Sequence, residues 1–211
     1  MAPKYQVAMG DTYPSLARQF YRDADMAAAL AAANHQPVTA ELIVGQELVV
    51  PYITQRHTVS SGDTLHGLAE RFYGDTAMSP VLAAANHVAE IQPGDRLLVP
   101  DLENVSLHMV FPGDSLTEFA VRWYNDEQCS TVIEHVNHLA GQQDVEVGQQ
   151  LIRPALNRRH VVEDGETWPQ LAQWWYGDPT LDQLIAAANR RSDDEAPPVG
   201  QVLFFPDLAD F

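Results

Sequence analysis

The chain has 211 residues and a formal net charge of −17, a field that disfavours nucleic acid and anionic membrane surfaces as partners. No apolar run approaches the roughly 20 residues of a membrane span, so membrane insertion is not expected. Cys129 is the only cysteine, which excludes an intrachain disulfide and suits a reducing compartment.

In chain order, the N-terminal "MAPKYQVAMGD" enters a folded pattern at once, with no hydrophobic signal segment. Gly10 then opens "GDTYPSLARQFYRD", Gly62 opens "GDTLHGLAERFYGD", Gly113 opens "GDSLTEFAVRWYND" and Gly165 opens "GETWPQLAQWWYGD", at spacings of 52, 51 and 52 residues. Asn34, Asn86, Asn137 and Asn189 each follow their glycine by 24 residues. Gly45, Gly94, Gly148 and Gly200 each precede a proline by six: Pro51, Pro100, Pro154 and Pro206. Landmarks kept in step define four repeats, 1–52, 53–101, 102–155 and 156–211. Units of about 50 residues bury modest cores, so adjacent ones should touch.

The second repeat shows the local logic. His57–Ser60 reads as a short strand, and Gly62 breaks it. Asp63 is placed to cap a helix whose apolar face is Leu65, Leu68, Ala69 and Phe72, ended by Gly74. Asp75 caps a second helix with Val81, Leu82 and Ala85 inward and Asn86 at its end. "EIQPGDRLLVP" supplies a turn and then a strand from Arg96 to Val99, closed by Pro100. In the fourth repeat Asp178-Pro179 has cap-then-proline chemistry at the equivalent place. The expected fold class is α+β: four tandem βααβ units, each a two-stranded antiparallel sheet with two helices on one face.

The motifs "HTVSSGDTL", "LAAAN" and "PGDRLLVP" resemble the LysM module, and the resemblance runs over nearly the whole chain. It implies non-catalytic binding of glycans containing N-acetylglucosamine, such as peptidoglycan or chitin fragments. Carried over by position, the groove would use Gly62, Asp63, Thr64 and Leu65 on one side and Asn86, His87 and Val88 on the other. Plain helix capping by Asp63 and helix termination by Asn86 are the competing readings. Equivalent candidates in the other repeats are Asp11, Thr12, Asn34 and His35; Asp114, Asn137 and His138; and Glu166, Thr167, Asn189 and Arg190. Pro14 and Pro169 remove a backbone donor beside the groove in the first and fourth repeats, which favours the second as the best glycan site.

His57, His108 and His160 open the first strands, with Tyr5 in the first repeat. They lie about one repeat apart with no metal-ligand spacing, so neither a metal nor a cofactor is expected. The histidines after the asparagine are expected to face solvent or ligand. Phe20-Tyr21, Phe72-Tyr73, Trp123-Tyr124 and Trp175-Tyr176 end the first helices and read as core. Trp174 stands where Gln19, Arg71 and Arg122 stand elsewhere, an exposed ring able to stack on a sugar or bury against a neighbour. No catalytic motif is present, so an enzyme is not expected.

Two function classes remain. One is a glycan-binding array gaining avidity from several weak sites. The other is a structural adaptor, since modules resembling these also occur in phage tails and contractile injection machines, where they bind protein. Short linkers such as "YITQR" and "ALNRR" and the absence of an export signal favour the adaptor, and would place the chain in the cytoplasm or in a virion or tail particle. The negative charge is uneven: −2 over residues 1–52, −2 over 53–100, −7 over 101–156 and −6 over 157–211. A cationic partner suits the C-terminal half. Replacing Leu68 by Ala should destabilise the second repeat by about 2–5 kcal/mol, measured by urea unfolding; a change within error would mean that the helix face is misassigned.

Overall fold

The computed structural model describes residues 4–139 and 145–208; the first and last three residues of the four-repeat division lie outside these. The first repeat contains β1 (Lys4–Gln6), α1 (Tyr13–Tyr21), α2 (Ala27–Ala32) and β2 (Glu47–Val49). The second contains β3 (Gln55–Thr58), α3 (Leu65–Tyr73), α4 (Ser79–Asn86) and β4 (Arg96–Val99). The third contains β5 (Asp101–Met109), α5 (Leu116–Tyr124), α6 (Ser130–Val136) and β6 (Gln150–Ala155). The fourth contains β7 (Arg158–Val161), α7 (Trp168–Tyr176), α8 (Asp182–Ala188) and β8 (Val202–Phe205). The strands pair antiparallel within each repeat. The fold is therefore the expected α+β succession of βααβ units.

The second repeat buries Val59, Leu68, Ala69, Leu82, Leu97 and Val99, with Leu65 and Phe72 packed against them. Its first strand begins two residues before the expected His57, drawing the linker into the sheet. Asp75 caps a 3-10 turn, Thr76–Met78, that leads into α4 rather than capping α4 itself. Its carboxylate accepts from the Ala77 N–H at 2.8 Å, and Asp23, Asp126 and Asp178 act alike in the other repeats.

The landmark asparagine fastens the second helix to the second strand. Asn86 Nδ2 donates to the carbonyls of Leu82 and Leu98 at 2.8 Å each, and its Oδ1 accepts from the Leu98 N–H at 2.7 Å. Asn34, Asn137 and Asn189 make the same three bonds, to Leu30 and Val49, to Ile133 and Ile152, and to Ile185 and Phe204. A tyrosine fastens the first helix in parallel. Tyr21, Tyr73, Tyr124 and Tyr176 donate to the carbonyls of the closing prolines Pro51, Pro100, Pro154 and Pro206. Burial drives the Tyr21, Tyr73 and Tyr176 phenols up, so they stay protonated donors at neutral pH.

The chain divides into two compact units. One joins the described residues up to Ile53 with those from Arg159 onward, and the other is Thr54–Arg158. In the first, α2 packs against α8, and one core takes Ala29, Leu30 and Ala32 from α2 with Leu184, Ile185 and Ala188 from α8. In the second, α4 packs against α6. The second and third repeats thus touch as neighbours, but the second helix of the first repeat packs on the fourth. The reason is compositional. "AAALAAA" is apolar on every side, so a single small repeat cannot cover it. The linker ends join these pairings: Tyr52 and Asp207 exchange backbone hydrogen bonds of 2.8 and 3.0 Å in the first unit. In the second unit, buried Thr54 and Asn157 bond reciprocally at 2.7 and 2.8 Å.

Truncating Asn86 to Ala strands backbone groups of α4 and β4 and should cost roughly 2–4 kcal/mol. Urea unfolding of the full chain checks this; a loss below about 1 kcal/mol would show that water replaces the clamp.

Candidate functional site

The elbow after the first strand is built around its acid. Asp63 Oδ2 accepts from the Ser60 N–H and from the His57 ring, at 2.8 Å each. This corrects the expected cap: the α3 N-cap is Thr64, whose hydroxyl accepts from the Gly67 N–H at 3.0 Å. The helix starts one residue later because Asp63 already serves the turn behind it. The pattern recurs. Asp11 takes the Ala8 N–H and the Tyr5 hydroxyl, and Glu166 takes the Glu163 N–H and the His160 ring. In the third repeat Asp114 takes the Phe111 N–H at 2.8 Å, but His108 stands 3.9 Å away and Arg122 3.3 Å away. The strand residue and the acid are always six apart, a signal available in the sequence but not used. Thr12 and Ser115 cap like Thr64, while Thr167 has its backbone N–H held by the Gln170 side chain at 3.1 Å.

Opposite the elbow lies the loop after the asparagine. Asn86 spends its amide on the clamp, so its role is structural beyond simple helix termination. His87 takes the left-handed conformation, φ 54°, as do His35, His138 and Arg190. Val88 is half-buried against the core shared with Leu65, and this common core brings the two loops together. In the first and fourth repeats a buried aromatic spans the same gap. Tyr13 donates to Gln36 Oε1, and Trp168 Nε1 to the Glu195 carbonyl, both at 2.6 Å. Leu116 is buried in the third repeat, which leaves Leu65 as the half-exposed residue at this position. The face between the loops of the second repeat thus offers Gly62, Thr64, Leu65 and Val88.

The residue after the asparagine does not simply face solvent. His87 Nε2 lies 2.6 Å from Asp126 Oδ2, in the turn between helices of the third repeat. Arg190 binds Asp23 and Asp25 of the first repeat, the latter at 2.7 Å. His35 lies 3.4 Å from the Thr180 hydroxyl. Among the described residues His138 shows no such pair. In each of these three pairs the partner lies in the turn between helices of the paired repeat, an acid for His87 and Arg190 and Thr180 for His35. Trp174 is 62% exposed, its ring 5.5 Å from that of His160. Among the described residues no cluster of three metal-ligating side chains occurs and no helix is long and apolar enough to cross a membrane.

Backbone hydrogen bonding from Ser60, then the His57 ring, holds the Asp63 carboxyl below its usual range. Asp114 is lowered first by the Phe111 N–H. Burial opposes ionisation of Glu166, but the bonds from His160 and the Glu163 N–H outweigh it. A carboxylate with a depressed folded pKa contributes stability in full above its unfolded value, near ~3.9 for Asp, and loses it as pH falls through the folded value. The urea midpoint of the native chain should therefore fall more steeply below about pH 4 than that of the Asp63→Asn variant. Parallel curves would show that the elbow pair does not couple to folding.

The LysM domain family matches residues 5–51, 57–100 and 108–154. Curated relatives from Mycobacterium tuberculosis, strains CDC 1551 / Oshkosh and H37Rv, are both named esterases; each is 40% identical over 150 residues, covering 70% of this chain and 32% of the relative. The chain thus spans about a third of the length of these relatives. Among solved structures, the spore cortex-lytic enzyme SleL of Bacillus megaterium QM B1551 is 34% identical over 46% of this chain and 22% of its own, with a TM-score of 0.24.

Proposed function

Since the chain belongs to the LysM family, we propose that it is a non-catalytic binding protein for N-acetylglucosamine-containing glycan, peptidoglycan or a chitin-like oligosaccharide. The observation that carries this reading is the second repeat, where the family's two loops meet and Leu65 leaves the face between them open. Gly62 is exposed, and a backbone free of Cβ lets a sugar approach closely. The Thr64 hydroxyl supplies a polar contact, and Leu65 and Val88 supply apolar surface for an acetamido methyl. The repeats are unequal: Tyr13 and Trp168 bridge the corresponding gap in the first and fourth, and Leu116 is buried in the third. The fourth repeat is a divergent unit of the same family, supported by its Asn189 clamp and its Glu166 elbow. The curated esterases are far longer proteins, and we assign these 211 residues to binding rather than catalysis.

A second reading is a structural adaptor of a phage-tail-like or other assembly. It is favoured by three loops whose His87, Arg190 and His35 side chains already face a paired repeat.

Titrating the isotope-labelled full chain with N-acetylglucosamine oligomers should shift amides at Gly62, Thr64, Leu65 and Val88, with smaller effects around Gly113–Leu116. Retention on insoluble peptidoglycan should accompany this. No shifts at millimolar oligosaccharide would overturn the glycan reading in favour of the adaptor.

A further inference from the structure

The repeats allow equivalent outward positions of the first strands to be compared. His108 faces the helices, its ring 4.8 Å from Phe119 and 5.5 Å from Trp123. Strand alternation therefore turns Leu107 and Met109 to the opposite face. Leu107 lies opposite Ile152 across the ladder, and Met109 opposite Gln150. Leu107 is 65% exposed, Met109 47%, Phe111 58% and Val147, in the turn beside them, 65%. The positions equivalent to 107, 109 and 111 hold Lys4, Gln6 and Ala8 in the first repeat, Arg56, Thr58 and Ser60 in the second, and Arg159, Val161 and Glu163 in the fourth. The place of Leu107 holds a lysine or arginine in every other repeat, and apart from Ala8 and Val161 the other places are polar or charged, so the fold does not need apolar side chains there. A contiguous exposed apolar patch marks an interaction surface.

Charge decides the occupant. Glu103 and Glu146 border these residues along the chain, and residues 101–156 carry −7. A second copy would bring two such acidic faces together, and an anionic lipid surface would be repelled. We infer that the outer face of the β5–β6 sheet docks a basic, apolar segment of a partner protein, with apolar side chains on Leu107 and Met109 and lysines or arginines against the acidic rim. This site is separate from the glycan face of the second repeat, and neither depends on the other.

The test uses the full chain and two acetylated, amidated 12-residue peptides of equal charge, one alternating lysine with valine and the other lysine with serine. The lysine–valine peptide should bind at least tenfold more tightly, with amide shifts at 106–111 and 150–152. The variant Leu107→Arg with Met109→Thr carries the residues of the same places in β3 and should keep the fold, which circular dichroism checks. It should lose the preference to below threefold. Equal affinity for both peptides, or a preference unchanged in the variant, would overturn the proposal. A sedimentation mass of two copies that falls to one in the variant would overturn it as well and assign the face to self-association.

Discussion

A side-chain amide that stands in for a backbone partner governs this molecule. The second helix of each repeat ends beside a strand of three to six residues, and the ladder of so short a strand cannot hold a helix in place. Asn34, Asn86, Asn137 and Asn189 supply both a donor and an acceptor to the strand and a second donor bond to the last helical turn. Buried backbone groups must be paired, and no other side chain of this size offers both functions in one plane. The tyrosine bond to the closing proline fixes the first helix to the same strand end. With both helices tied, the elbow and the asparagine loop are held against one another.

The residue after the clamp stands in the left-handed region in every repeat: His35, His87, His138 and Arg190. Their side chains leave the repeat, and in three of the four cases meet the turn between helices of the paired repeat. Pairing through α2 with α8 and α4 with α6 thus consumes part of the loop on which glycan recognition would draw. The repeats consequently differ in the surface they have left.

Much of the architecture could be read from the chain because its landmarks carry backbone constraints. Gly62 and Gly74 adopt positive φ, Pro100 follows the final strand, and Leu68, Leu82 and Ala85 mark buried faces. What escaped reading was reach. Asp63 and His57 are six residues apart across a bend, so helix-cap rules assigned the acid to the wrong neighbour. Asn86 looked like a helix stop because its partner, Leu98, lies twelve residues away and its bonds are made to backbone, which leaves no pattern in side-chain identity. The pairing of the first repeat with the fourth was visible only indirectly, in a helix too apolar for its own repeat. The candidate site was legible as a pair of loops; which face of it stays open depended on Tyr13, Trp168 and Leu116, whose burial is tertiary.

Four clamped repeats are thus stabilised in two pairs rather than singly. Native-state hydrogen exchange of the four amides bound to the asparagine carbonyls, at Val49, Leu98, Ile152 and Phe204, tests this directly. One opening free energy should be shared by Val49 and Phe204, and another by Leu98 and Ile152. Four unrelated values, or an opening at Val49 that leaves Phe204 protected, would contradict stabilisation in pairs.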